Sequence, residues 1–228
     1  PEKVPVRDAY HKILMEYKAN GWITEANLSY EGIYTYLPHK PVERPDKETT
    51  EVRPVFDASA GKPSLNDCLA AGPNLNPETV AVLLRFSVPE YVWIADIAKA
   101  FLQIEIADED KEAVRFLWPE NPEDPSSKIV EYKWTRLTFG LTSSPFILRA
   151  VLHTHLNKCR AEYPETVEVL SKSLYVDDFI AGAPTRAIAS RVKNETMAIF
   201  ADAKMEMRKW YSNDSTLQQS LNPLEAPD

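Results

Sequence analysis

Apolar and polar positions change period repeatedly along the chain, and each change predicts an element. Tyr10, Ile13, Leu14 and Tyr17 recur at helical spacing, so 6–20 is expected to be an amphipathic helix that stops at Asn20-Gly21. Residues 30–57 alternate instead: 33–38 and 51–57 read as strands, with the polar, Pro-broken stretch 39–50 as the tip of a long hairpin. Gly61, Pro63, Gly72 and Pro73 break 58–75 into irregular chain. Asn76-Pro77 predicts a cap with proline at the first helical position, ahead of a short apolar helix over 80–86. The run 91–97 is apolar apart from Asp96 and predicts a central strand. A hairpin is expected from 114–118 and 129–137 around a Pro-rich loop. Helices follow at 145–157 and 185–203, the second capped by Thr185, then a closing strand at 205–210 and a loose tail from Ser212. Helices mixed with antiparallel hairpins give an α+β fold.

One hairpin carries unusual chemistry. In Ser173-Leu174-Tyr175-Val176-Asp177-Asp178-Phe179-Ile180-Ala181-Gly182 two adjacent carboxylates stand between two β-prone runs. Like charges this close repel unless a cation sits between them, and hard divalent ions favour carboxylate oxygens together with substrate phosphates. Asp96 is the second oddity: a lone carboxylate in an apolar strand needs a cation or hydrogen-bond donors nearby. If its strand pairs with the Asp177-Asp178 hairpin, the carboxylates meet at one end of a sheet. Two Mg²⁺ ions about 4 Å apart could then activate an attacking hydroxyl and stabilise a leaving group.

Composition narrows the field only slightly. At 228 residues and 44% hydrophobic, the chain has material for one large domain or two small ones. No apolar run is long enough to span a bilayer, and no signal peptide is read, so a membrane partner is not expected. The formal charge of -8 counts against nucleic-acid binding in general but allows a basic groove within an acidic body. Cys68 and Cys159 read as free thiols in a reducing compartment, neither with a partner at metal-ligand or redox spacing. His153-Thr154-His155 is rejected as a metal pair, because on a helix those side chains point about 200° apart.

Four blocks in order resemble reverse transcriptases: Arg53-Pro54-Val55-Phe56-Asp57-Ala58-Ser59, Ala95-Asp96-Ile97-Ala98-Lys99-Ala100-Phe101, Thr138-Phe139-Gly140-Leu141-Thr142-Ser143-Ser144-Pro145 and Tyr175-Val176-Asp177-Asp178. Tyr36-Leu37-Pro38-His39, Val55-Phe56-Asp57-Ala58-Ser59 with Ser64-Leu65-Asn66-Asp67, and Arg208-Lys209-Trp210 are most similar to the BEL/Pao class of LTR retrotransposons. The resemblance runs from about Tyr10 to Asn213. It implies the fingers and palm of a right-hand polymerase, with an antiparallel palm sheet packed on helices. Fingers would take 1–90, palm 91–118 and 141–211, a fingers/palm hairpin 119–140, and the tail 212–228 would lead toward a missing thumb.

The same resemblance implies roles for single residues. Asp96, Asp177 and the main-chain carbonyl of Ile97 would hold the metals, with Asp178 as the weaker member and Mn²⁺ an acceptable substitute for Mg²⁺. Phe101 would be a steric gate against a 2′-hydroxyl. Arg53 would grip the incoming triphosphate, with Lys47 or Lys40 as a second contact. Phe139 and Gly140 would line the nucleotide and template pocket, and Lys209 would protonate departing pyrophosphate. The implied partners are a primed RNA or DNA template, deoxynucleoside triphosphates and the thumb and RNase H regions of a polyprotein. The implied setting is a cytoplasmic retroelement particle. Two rivals remain: a catalytically silent retroelement-derived module that binds nucleic acid or protein, and a palm-type RNA polymerase, which Phe101 disfavours.

Overall fold

The computed structural model describes residues 4–43 and 52–221. In chain order its helices are α1 (Val4–Ala19), α2 (Leu65–Cys68), α3 (Thr79–Ser87), α4 (Ser144–Cys159), α5 (Pro164–Ser173), α6 (Arg186–Asp202) and α7 (Ser215–Leu221). The strands are β1 (Ile23–Glu25), β2 (Thr35–Tyr36), β3 (His39–Glu43), β4 (Val52–Phe56), β5 (Tyr91–Ile97), β6 (Val114–Pro119), β7 (Ile129–Trp134), β8 (Leu174–Tyr175), β9 (Asp178–Ala183) and β10 (Met207–Ser212). The chain divides into two compact units, Pro1–Ala71 with Ile104–Ser144 and Gly72–Gln103 with Pro145–Asp228. The α+β class holds throughout. Among the described residues no helix is long and apolar enough to cross a membrane.

The first unit contains a four-stranded sheet in the order β1-β7-β6-β2 and the separate pair β3-β4. Its core is aromatic: Tyr10, Phe56, Phe116, Tyr132 and Trp134 are nearly or fully buried, with Phe56, Phe116 and Trp134 in mutual ring contact. His39 lies among them, stacked on Phe56, while Tyr10 Oη hydrogen-bonds its Nδ1 and the Leu117 carbonyl lies 3.0 Å from its Nε2. Burial lowers the His39 pKa. The neutral ring therefore favours folding at and above the unfolded pKa of about 6.5, and that contribution is lost as pH falls from there toward the folded pKa. Thermal denaturation followed from about pH 7 to pH 5 should show the midpoint dropping in the wild type and a flatter profile in His39→Phe.

The second unit is a four-stranded antiparallel sheet, β10-β5-β9-β8, with α3, α5 and α6 against β9. β5 alternates from Trp93 onward, with Trp93, Ala95 and Ile97 buried and Ile94 and Asp96 on the other face. Phe179, Ala181 and Ala183 continue the buried face on β9. That pattern leaves the face carrying Asp96 and Asp178 open.

Several expectations are corrected. The stretch after Pro38 is itself β3, paired antiparallel with β4 from His39↔Phe56 to Glu43↔Val52, whereas β2 shrinks to two residues and runs parallel to β6. The physical reason is partner choice: Tyr36 Oη bonds Glu131 and Leu37 N–H bonds the Arg115 carbonyl, so this segment follows the β6-β7 sheet. α3 begins at Thr79 with Glu78 at its N-cap and no side-chain cap bond, while the Asn76 side chain bonds the Val176 N–H instead. α5, which starts on Pro164, falls in a stretch for which no element was expected. The tail is helical over Ser215–Leu221: Asp214 accepts the Leu217 N–H and Leu217 is buried. Residues 72–90 join the second unit because α3 packs on β9, and 104–118 join the first because β6 pairs with β7.

Candidate active site

The expected acidic hairpin forms, and its turn is tight. Val176 and Asp177 are the two loop residues between β8 and β9, with Val176 at φ 56°. A two-residue hairpin with positive φ at its first position normally takes glycine there, so a β-branched residue is strained. The backbone around it is tied down. Asn76 Oδ1 accepts the Val176 N–H at 3.2 Å, and the Ile97 N–H donates to the Asp177 carbonyl at 2.9 Å.

β5 and β9 pair so that Asp96 stands opposite Asp178 and Ala95 opposite Phe179. Asp96, Asp177 and Asp178 thus share one edge of the sheet of the second unit. Burial raises the Asp178 pKa first, the negative charges of Asp177 and Asp96 raise it further, and Lys209 opposes them. This repulsion is the property a cation would relieve, and it makes the edge a fit for a divalent ion held by carboxylate oxygens.

Asp96, half-buried, has the donors that a carboxylate in an apolar strand called for. Arg208 Nε lies 3.0 Å from Oδ1 and Lys209 Nζ 2.9 Å from Oδ2. Neighbours on a regular strand point to opposite faces, so two consecutive residues should not reach one carboxylate. Here β10 breaks register between Arg208 and Tyr211, with Lys209 at φ 52°, and the bulge turns both side chains toward Asp96. Phe101 lies in the 3-10 turn Ala100–Gln103, half-buried rather than in the core.

Arg53, Phe139 and Gly140 belong to the first unit. The Arg53 guanidinium stacks over the Phe139 ring, 5.1 Å from its centroid. Gly140 has φ 95°, and a Cβ there would sit 2.8 Å from the Phe56 carbonyl oxygen, so only glycine fits. Asn66 Nδ2 bonds the Gly140 carbonyl and Asn66 Oδ1 accepts the Thr142 N–H. Lys47 lies outside the described residues.

Arg149 lies in the helix expected over 145–157 and had no role assigned from the sequence. Arg149 is 4% exposed and donates to the carbonyls of Leu75, Ser171 and Leu174, the last of which leads into the hairpin. An arginine within an apolar helical stripe was the available signal. Cys159, expected to lack a ligand partner, instead lies with His155 and Asp202. Among the described residues that trio is the set whose ligand atoms all fall within 4.8 Å of one another. Asp96, Asp177 and Asp178 are not such a set.

The chain matches the family described as "Reverse transcriptase (RNA-dependent DNA polymerase)" over residues 49–210. It is 31% identical over 151 residues to the Gag-Pol polyprotein of Baboon endogenous virus (strain M7), covering 65% of this chain and 8% of that protein. It is 27% identical over 206 residues to the Gag-Pol polyprotein of Avian reticuloendotheliosis virus, covering 87% and 17%. The chain thus spans less than a fifth of the curated relatives it matches. Among solved structures it resembles a foamy viral protease-reverse transcriptase in complex with double-stranded DNA. The TM-score is 0.68 at 17% identity, over 90% of this chain and 31% of that one. The native prototype foamy virus protease-reverse transcriptase is similar at TM-score 0.68 and 19% identity, over 91% and 24%.

Proposed function

This chain belongs to the reverse transcriptase (RNA-dependent DNA polymerase) family, and from that premise we propose that it is the fingers and palm of an enzyme extending a primer 3′-hydroxyl with deoxynucleotides on RNA and DNA templates. The observation that carries this reading is the pairing of Asp96 with Asp178 on adjacent strands, with Asp177 held on the same edge by the Ile97 N–H. The relatives reported above are retroviral; the finer assignment to the BEL/Pao class rests on the Arg208-Lys209-Trp210 and Ser64-Leu65-Asn66-Asp67 blocks.

The family implies a divalent cation, and the proposed ion is Mg²⁺, held by Asp96 and Asp177 with Asp178 in support and with Mn²⁺ as a substitute. When bound it supplies charge stabilisation at the phosphate and a lowered pKa for the attacking hydroxyl. The chain's own residues do the positioning. The planar guanidinium of Arg53, backed by Phe139, offers paired donors to a triphosphate. Gly140 lets a base approach the backbone. Lys209, now on Asp96, is the cation that can turn to protonate pyrophosphate. Template, primer, triphosphates and the thumb and RNase H regions of a polyprotein complete the proposed partners, in a cytoplasmic retroelement particle.

The test is primer extension by the purified chain on RNA and DNA templates. Incorporation should require Mg²⁺ and stop on chelation. The silent-module reading draws support from one observation, the occupation of both Asp96 carboxylate oxygens by Arg208 and Lys209. Incorporation by the wild type and not by Asp177→Asn decides against that module. Shape selection gives a further expectation. Phe101→Ala should admit ribonucleotides, lowering discrimination against them on the order of a hundredfold while deoxynucleotide incorporation persists, as read by competing the two substrates.

A further inference from the structure

We propose that His155, Cys159 and Asp202 form a second metal site, specific for zinc-like cations and separate from the carboxylates of the hairpin edge. His155 and Cys159 lie four residues apart on α4, one turn of one face, and Asp202 is the last residue of α6. One ligand atom from each of the three falls within 4.8 Å of the other two. The Cys159 sulfur is 3.7 Å from His155 Nε2. A tetrahedral zinc with its usual bonds to sulfur and imidazole nitrogen sets those two atoms about 3.6 Å apart, so the α4 pair already has the required bite. Asp202 is exposed at a helix end, and its carboxylate can swing to close the third position.

The donor set decides the ion. A thiolate, an imidazole and one carboxylate suit zinc and its neighbours, whereas magnesium takes oxygen ligands and keeps its waters. Three protein donors leave the fourth tetrahedral position to water. Binding replaces the thiol proton with the metal and releases that proton to solvent, so affinity rises with pH. One contact must be exchanged. His155 Nε2 lies 2.7 Å from the Ile199 carbonyl, a bond that joins α4 to α6 already. The metal would take over that bridging, and the ring N–H would move to Nδ1. The bridged end of α6 leads, six and seven residues on, to Arg208 and Lys209, the partners of Asp96.

The test uses the purified chain in excess Mg²⁺, titrated with Co²⁺ and then Zn²⁺ alone, with no substrate present. The wild type should bind one equivalent and show a thiolate-to-cobalt charge-transfer band that Zn²⁺ abolishes. Cys68→Ser and Asp177→Asn should keep both signals. Cys159→Ser should lose the band, and Asp202→Asn, an exposed change that leaves the fold intact by circular dichroism, should weaken binding at least tenfold. The proposal is overturned if the wild type shows no band, if the band survives Cys159→Ser, or if Asp202→Asn binds as tightly as the wild type.

Discussion

Asp177→Asn should reduce primer extension on the order of a thousandfold and leave the protein at least as stable as the wild type. The first half follows from charge. Asparagine keeps the shape of the side chain but removes the negative oxygen that would hold a divalent ion, and losing a stabilisation of roughly 4 kcal/mol at a transferring phosphate corresponds to that factor. The backbone contact that locates the turn is untouched, because the Ile97 N–H bonds the main-chain carbonyl of residue 177 and not its side chain. The second half follows from repulsion. Asp178 has a raised pKa partly because Asp177 faces it. A raised carboxyl pKa means the folded state prefers the protonated form, so its contribution to stability is present at low pH and lost as pH rises through the folded pKa. Above that folded pKa the Asp178 charge therefore opposes folding, and removing the neighbouring charge of Asp177 relieves part of that cost. Extension assays with thermal denaturation near neutral pH check both halves. A variant that loses activity and also melts well below the wild type would mean that Asp177 is a structural residue of the hairpin. The expected outcome is instead a functional group held against its own stability.

The acidic hairpin and the strand bearing Asp96 were legible in the sequence for a local reason. Each is an apolar run with a period fixed by its two faces, and a carboxylate within such a run stands out. The need of Asp96 for donors was legible too, but not their identity: consecutive Arg208 and Lys209 reach it only through a bulge, which leaves no mark in an alternating pattern. The strand pairings of the first unit were misread because β2 is fixed by contacts with residues about eighty to a hundred positions away, at Arg115 and Glu131. Asn76-Pro77 carries a good capping signal, yet its side chain is spent on Val176, a hundred residues on. Propensity gave way to tertiary contact in both places. The His155 and Cys159 pair was visible at four-residue spacing. Attention to the two histidines, whose side chains diverge, hid it.

Arg149→Met should destabilise the protein by about 3 kcal/mol or more and depress primer extension further than the unfolded fraction accounts for. The guanidinium is buried, and its three contacts are all backbone carbonyls: Leu75 at 3.2 Å, Leu174 at 3.0 Å and Ser171 at 2.8 Å. Burial works against its charge and lowers its pKa, so the residue must be worth more for what it satisfies than for what it costs. Methionine keeps much of the stem but leaves three carbonyls without that donor, at about 1 kcal/mol or more each. Two of the three concern the acidic turn. Leu174 immediately precedes Tyr175 on β8, and Leu75 precedes Asn76, whose side chain holds the strained Val176. The third, Ser171, lies in the last turn of α5, where a cation also answers the helix dipole. Asn76→Ala separates positioning from stability. It removes one exchangeable contact, at a cost of about 1 kcal/mol, but frees the Val176 N–H in a backbone conformation a β-branched residue resists. Chemical denaturation and extension by the folded fraction should therefore rank the two variants oppositely: Arg149→Met loses more stability, and Asn76→Ala loses more activity per unit of stability lost. If Asn76→Ala extends primers like the wild type, the turn keeps its shape without that amide, and the clamp reduces to Arg149.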